Sequence, residues 1–198
     1  MINTFLIAVK YRNNSVLENH HFNTTLRIIN TPQCNILEHM VEEQKNFLFE
    51  VMKASILATD MRRHTELVEL MASAPWKHSP LSSSVYEIES NESKILLCTC
   101  ILHSADLSNP VKIFTVAEKW GEKLSVELNN EVKLQRELGL PVMQWMETSN
   151  KDTLYKREHG FCLGVALPMW VILADLYPVC EQLVIQLQTN IASYNSKS

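Results

Sequence analysis

Glycine and proline are scarce, with four glycines and seven prolines in 198 residues, which excludes collagen-like and turn-dense folds. No Asn-Gly or Asp-Gly pair occurs, so the strongest local signal for paired strands is missing. Basic residues form no block, and 18 Lys and Arg against 22 Asp and Glu give a net charge of -4. That balance argues against a nucleic-acid partner and against an anionic membrane surface. The first ten residues have neither the basic leader nor the small-residue cleavage site of a signal peptide. The most apolar window, residues 161–179, contains Pro168, Asp175 and Pro178, and its uncharged part stops at Ala174, short of the roughly 20 residues of a bilayer span. These absences predict a cytoplasmic chain with no membrane span.

What is present is apolar material, 46% of the chain, enough for a packed core in one domain. Five cysteines, an odd number, read as buried free thiols of a reducing compartment. Cys98, Cys100 and His103 hint at a metal knot, but C-x-C-x-x-H lacks a second pair at finger spacing. Structural thiols are the better reading.

Helical periodicity dominates. From Ile36 onward Ile36, Leu37, Met40, Val41, Phe47, Leu48, Val51, Met52, Ile56 and Leu57 recur at three- and four-residue spacing behind Pro32, predicting an amphipathic helix. Residues 112–140 repeat the pattern at Val116, Trp120, Leu124 and Leu128, up to a stop at Gly139-Leu140-Pro141. Residues 155–176 predict another helix, kinked or restarted at Pro168. The apolar run 95–103 fits a strand or a buried helix equally well. Residues 73–93, with seven serines and two prolines, predict a surface loop. With no repeats and no linker, the fold class is all-α.

Three strings set polar residues against apolar ones: Ser15-Val16-Leu17-Glu18-Asn19-His20-His21, Leu57-Ala58-Thr59-Asp60-Met61 and His103-Ser104-Ala105-Asp106-Leu107-Ser108-Asn109-Pro110. Carboxylates and imidazoles gathered on apolar helices build a metal or acid-base site, because burial requires that a cation or hydrogen bonds satisfy the charge. The alternative is a set of helix caps, for which Asp60 and Asn109 are suitable types.

Together with Leu138-Gly139-Leu140-Pro141 and Gly160-Phe161, these strings resemble, in order and at similar separations across residues 3–178, the catalytic domain of class I cyclic nucleotide phosphodiesterases. The resemblance implies the multi-helix bundle of the HD-type phosphodiesterase catalytic domain, its C-terminal part only, over residues 1–180, with 181–198 as a helix end and tail. It implies a hydrolase that opens cAMP or cGMP to the 5′-monophosphate. Two divalent ions, Zn with Mg or Mn, clamp the attacking and leaving oxygens there. By resemblance Asp106 is a metal ligand, and Glu18, Thr59 and Asp60 bond to metal-bound waters. Asn109 belongs to the nucleotide pocket, and Leu124 and Phe161 clamp the purine, with Trp120 supporting Leu124. As residues alone, these three apolar positions read equally well as core.

Two departures stand out. The family's H-N-x-x-H-A and H-D motifs, which carry the general-acid histidine and most metal ligands, are absent: none of the seven histidines precedes Asp, and no two are four apart. No general acid is retained, and the motifs are expected before Met1. This predicts an inactive chain, as an incomplete phosphodiesterase copy or, alternatively, a catalytically dead interaction or regulatory module. Apolar faces left uncovered would then favour self-association. At the purine site, Glu158 stands where the family carries a base-gripping glutamine. An amide both donates and accepts, whereas a carboxylate only accepts. Adenine's amine can donate to it while the adjacent ring nitrogen opposes it; guanine's N1–H can donate while O6 is repelled.

Overall fold

The computed structural model describes residues 2–74 and 90–198, without the side chains of residues 2–5. Among these there are helices and no strands, so the chain is all-α. It divides into two compact units, residues 1–106 and 107–198. The serine-rich stretch at 73–93 falls largely outside the described residues, apart from its ends at Ser73 and 90–93.

The first unit contains α1 (Ile2–Lys10), α2 (Val16–Ile29), α3 (Glu42–Ala58), α4 (His64–Ser73) and α5 (Asn91–Asp106). The run left open between strand and helix is part of α5, which packs along α3. α3 begins later than the periodicity from Ile36 implies. Pro32 opens only a single 3-10 turn, Pro32–Cys34, and the Asn35 side chain then accepts from the Leu37 N–H at 3.1 Å. That local bond competes with helix, and Ile36 is left 84% exposed. Glu42 and Glu43 occupy the first turn of α3, where negative charge complements the helix dipole.

Between α1 and α2 the backbone enters the left-handed region at Arg12, Asn13 and Ser15, with φ of 52°, 56° and 38°. Such angles cost energy for residues with a Cβ and persist where neighbours fix them. Here the Asn19 side chain donates to the carbonyls of Asn14 and Ser15 at 3.0 and 3.1 Å. The buried Ser15 hydroxyl is also engaged, as described below.

The second unit contains α6 (Phe114–Glu137), α7 (Lys151–Phe161), α8 (Leu167–Leu176) and α9 (Glu181–Lys197). Its core joins Val111, Leu154, Tyr155, Cys162, Trp170 and Tyr194. α6 ends in a Schellman closure, with Gly139 at φ 66° and Leu140 N–H bonded to Gln135 O at 2.8 Å. α7 starts at a capping box of Asn150 and Thr153. The break near Pro168 is a π-turn at Cys162–Ala166, placed just before the proline. Pro168 has no N–H to offer and cannot extend an α-helical ladder; the wider turn lets α8 restart with Pro168 in its first turn. Lys151–Leu176 taken together is long and apolar enough to cross a membrane by length and composition. Its Leu154, Tyr155, Cys162, Ala166, Trp170 and Leu173 form the core of this unit.

On α6 the apolar stripe lies opposite to a core-facing arrangement. Val116, Trp120 and Leu124 are 37%, 49% and 44% exposed, while Ala117, Gly121, Ser125 and Val132 are buried. Small residues face inward because α7 approaches closely there, as the Gly121 contact shows below. The sequence reading of buried cysteines holds for Cys100 and Cys162, but Cys34 and Cys98 are exposed. Two residues apart on a helix, Cys98 and Cys100 point to nearly opposite sides.

Candidate functional site

In the first unit, Asp60 follows α3 and caps the 3-10 turn Met61–Arg63, accepting from the Arg62 N–H at 3.0 Å. The Arg62 guanidinium bonds to both carboxylate oxygens, Nη2 to Oδ2 at 2.7 Å and Nε to each at 3.1–3.2 Å. Ser15 Oγ donates to Oδ2 at 2.8 Å. The carboxylate is buried and its acceptor sites are filled. Arg62 above all, and then the backbone and Ser15 bonds, hold its pKa at about 2, against the opposing effect of burial. The folded value is depressed, so the carboxylate stabilises the unit above the ordinary value of 3.8 and loses that contribution as pH falls toward about 2. Asp60→Ala is expected to cost about 2 kcal/mol at neutral pH, by removing a cap and stranding the Ser15 hydroxyl. Urea unfolding measures this, and the difference from wild type should shrink as pH is lowered through 3.

The other residues assigned to this unit are engaged locally. Glu18, in the first turn of α2, adds negative charge toward Arg62. Thr59 caps the end of α3, its hydroxyl donating to Ile56 O at 2.8 Å. Asp106 ends α5 and is exposed. Behind it, fully buried His103 lies with Nε2 at 2.9 Å from Nδ1 of buried His64. Burial first and the His64 ring second push the His103 pKa down, opposed by the Ala58 backbone and the Asp106 charge. The neutral imidazole is therefore the favoured form.

In the second unit, Asn109 opens the 3-10 turn Asn109–Val111, whose Pro110 and Val111 are buried. Glu158 on α7 is 8% exposed. Its Oε1 accepts from Arg157 Nη2 at 2.7 Å and Nε at 3.1 Å, and the two side chains are 9% and 11% exposed. Arg157 Nη2 also donates to the Gly121 carbonyl at 3.1 Å and to Ser125 Oγ at 2.9 Å, while Nη1 is buried without a partner. A Cβ at Gly121 would lie 3.0 Å from Glu158 Cδ, so glycine is what lets the carboxylate settle on α6. Leu124 lies one turn beyond Gly121, and half-buried Phe161 one turn beyond Glu158.

Sequence reasoning missed Arg157 and Gly121. Neighbouring helical residues do not face one another, so Arg157 was no obvious partner for Glu158; only the long guanidinium stem makes the pair. Gly121 did carry a signal, since a glycine inside a helix is costly and often marks a close approach.

The divalent ions implied by the resemblance do not fit the residues described. Asp106 is exposed, the Asp60 carboxylate is saturated by Arg62 and Ser15, and no group of three His, Cys, Asp or Glu among the described residues is placed to hold a metal.

A family profile described as 3′5′-cyclic nucleotide phosphodiesterase matches residues 3–187. The chain is 29% identical to the 3′,5′-cyclic-AMP phosphodiesterase 4C of Rattus norvegicus over 96% of its own length and 36% of that protein. It is also 29% identical to the high affinity cGMP-specific 3′,5′-cyclic phosphodiesterase 9A of Pan troglodytes over 91% of this chain and 29% of that one. The crystal structure of the phosphodiesterase domain of the RhoPDE fusion protein from the choanoflagellate Salpingoeca rosetta superposes with a TM-score of 0.87 at 30% identity. That match covers 96% of this chain and 59% of the other. The chain thus spans about a third of the curated relatives' length.

Proposed function

The chain belongs to the 3′,5′-cyclic nucleotide phosphodiesterase family, and we propose that it takes a purine 3′,5′-cyclic nucleotide as its ligand. The reaction of the domain type is hydrolysis to the 5′-monophosphate in signal transduction. The observation that carries this reading is the contact of Glu158 with Gly121 across α7 and α6, with Phe161 and Leu124 one turn further along those helices. Two apolar side chains suit the faces of a planar base, and a fixed carboxylate suits its polar edge. Asn109 joins the same nucleotide site, and the five free cysteines support a cytoplasmic setting.

The family depends on divalent metals, for which zinc with magnesium or manganese is the proposed pair. Asp106 is the one residue of this chain proposed to contribute to that site, with Glu18 and Thr59 proposed to bond to metal-bound waters, a set that does not by itself hold an ion. A second reading, a nucleotide-binding or regulatory module without hydrolysis, is favoured by one observation: Asp60 is closed off by Arg62. Purified polypeptide is expected to contain zinc far below one ion per chain, measured by elemental analysis, and to leave cAMP and cGMP unhydrolysed with magnesium present, because a lone carboxylate holds zinc poorly. It is expected to bind cyclic nucleotide in a direct titration. Turnover by the isolated chain would overturn the non-hydrolytic reading, and failure to bind any cyclic nucleotide would overturn the ligand assignment.

A further inference from the structure

A cleft of about 150 Å³ opens between α3, α4 and α5 of the first unit, and none of the residues assigned above lines it. Short side chains make the space. Ala54 and Ala58, one turn apart, bring the same face of α3 to it, and Ile95 and Thr99 do the same on α5. From α4, Leu67 closes the floor at 5% exposed, while Leu70 stands at the rim at 46%. At the mouth Arg63 Nε lies 3.5 Å from Glu66 Oε2, so the entrance carries no net charge.

Thr99 is 6% exposed, yet its hydroxyl makes no hydrogen bond to the described residues. Helical threonines commonly turn this group back to the carbonyl one turn earlier, as Thr25 does to His21 O and Thr189 to Ile185 O, both at 2.9 Å. Thr99 does not. Its hydroxyl therefore keeps a donor and an acceptor for a group inside the cleft, and a buried hydroxyl without a partner is costly.

Size and chemistry select the guest. At the packing density of protein interiors the space takes roughly 110 Å³ of molecule, about one six-membered ring with a substituent. Apolar cavities of about this size take up benzene-sized guests, and a single hydroxyl offers too few partners to fix a water, which needs roughly two to four. A charged guest gains little, because the cations and anions of the mouth already answer one another and the walls are aliphatic.

We propose that this cleft is a binding site for a small neutral ring compound carrying one hydroxyl, of the phenol class, with Thr99 as the residue that bonds to that hydroxyl. The site lies within the first unit and is independent of the cyclic nucleotide assignment.

The test is titration of the full chain with phenol at neutral pH, followed through the methyl NMR resonances of Leu67 and Ile95. Saturable shifts of both are expected, with a dissociation constant of about 1 mM or below. Unmoved resonances up to about 10 mM overturn the proposal, and shifts confined to other methyl groups overturn the location. In Thr99→Val, which keeps the shape and drops the hydroxyl, phenol should bind roughly three- to tenfold more weakly, the worth of one neutral hydrogen bond, while toluene keeps its affinity. An unchanged affinity for phenol, or an equal loss for both guests, overturns the role of Thr99. Ala54→Leu, at a half-buried wall position, should weaken both guests, and wild-type affinities in a cooperatively unfolding Ala54→Leu protein overturn the cleft as their site. Benzoate binding more tightly than phenol overturns the choice of a neutral guest. The wild-type titrations need no variant to fold.

Discussion

Arg157→Met is expected to lower the stability of the chain by about 3–5 kcal/mol, a fall in melting midpoint on the order of 10 °C. The guanidinium and the Glu158 carboxylate are 9% and 11% exposed, so neither charge has water to fall back on. Removing the cation leaves an anion packed against Gly121 and strips a donor from Gly121 O and Ser125 Oγ. Breaking a buried pair from one side costs far more than the pair contributes, because the desolvation of the survivor goes uncompensated. The double variant Arg157→Met/Glu158→Gln should therefore recover most of the loss, since a neutral amide tolerates the site. Urea unfolding of the four proteins in the cycle measures the coupling, expected to exceed about 1 kcal/mol. A cost below about 0.5 kcal/mol for Arg157→Met would mean that solvent screens the pair, as at an exposed salt bridge.

The same cluster shows where reading the sequence succeeds and where it stops. Helices announce themselves through spacing, and α3, α6 and α7 follow from it. Caps are legible too: Asp60 is a capping type, and it caps the turn it precedes. What spacing does not carry is which face of an apolar helix is inward. On α6 the stripe Val116, Trp120 and Leu124 gives the helix, and core was the alternative reading of Trp120 and Leu124, yet the buried line is Ala117, Gly121 and Ser125, because close approach of α7 rewards small volume over apolarity. Long-range polar bonds are equally silent. Ser15 and Asp60 stand 45 positions apart, and nothing local couples them. The positions taken from the resemblance include Glu158 but not the Arg157 that bonds to it, because adjacent residues of a helix do not read as partners.

Asn190→Ala is expected to cost about 3 kcal/mol or more, and Asn190→Asp to cost more still. Asn190 is completely buried on α9. Its Nδ2 donates to Pro110 O at 2.8 Å and Lys112 O at 2.7 Å, and its Oδ1 accepts from Gln186 at 2.9 Å. Pro110 and Lys112 flank Val111, in the turn that Asn109 opens, so one amide ties the last helix of the unit to the segment carrying Asn109, the residue proposed for the nucleotide site. Truncation to alanine orphans the buried Pro110 carbonyl, worth roughly 1–3 kcal/mol, takes the donor from the part-buried Lys112 carbonyl, and opens a cavity besides. Aspartate keeps the shape but sets a negative oxygen against both carbonyls in place of two donors. Thermal unfolding ranks the three proteins. Because the lesion frees the 109–112 turn, cyclic nucleotide binding should weaken in Asn190→Ala even at temperatures where the variant stays folded. An Asn190→Ala protein that loses stability and keeps wild-type affinity would detach Asn109 from the site.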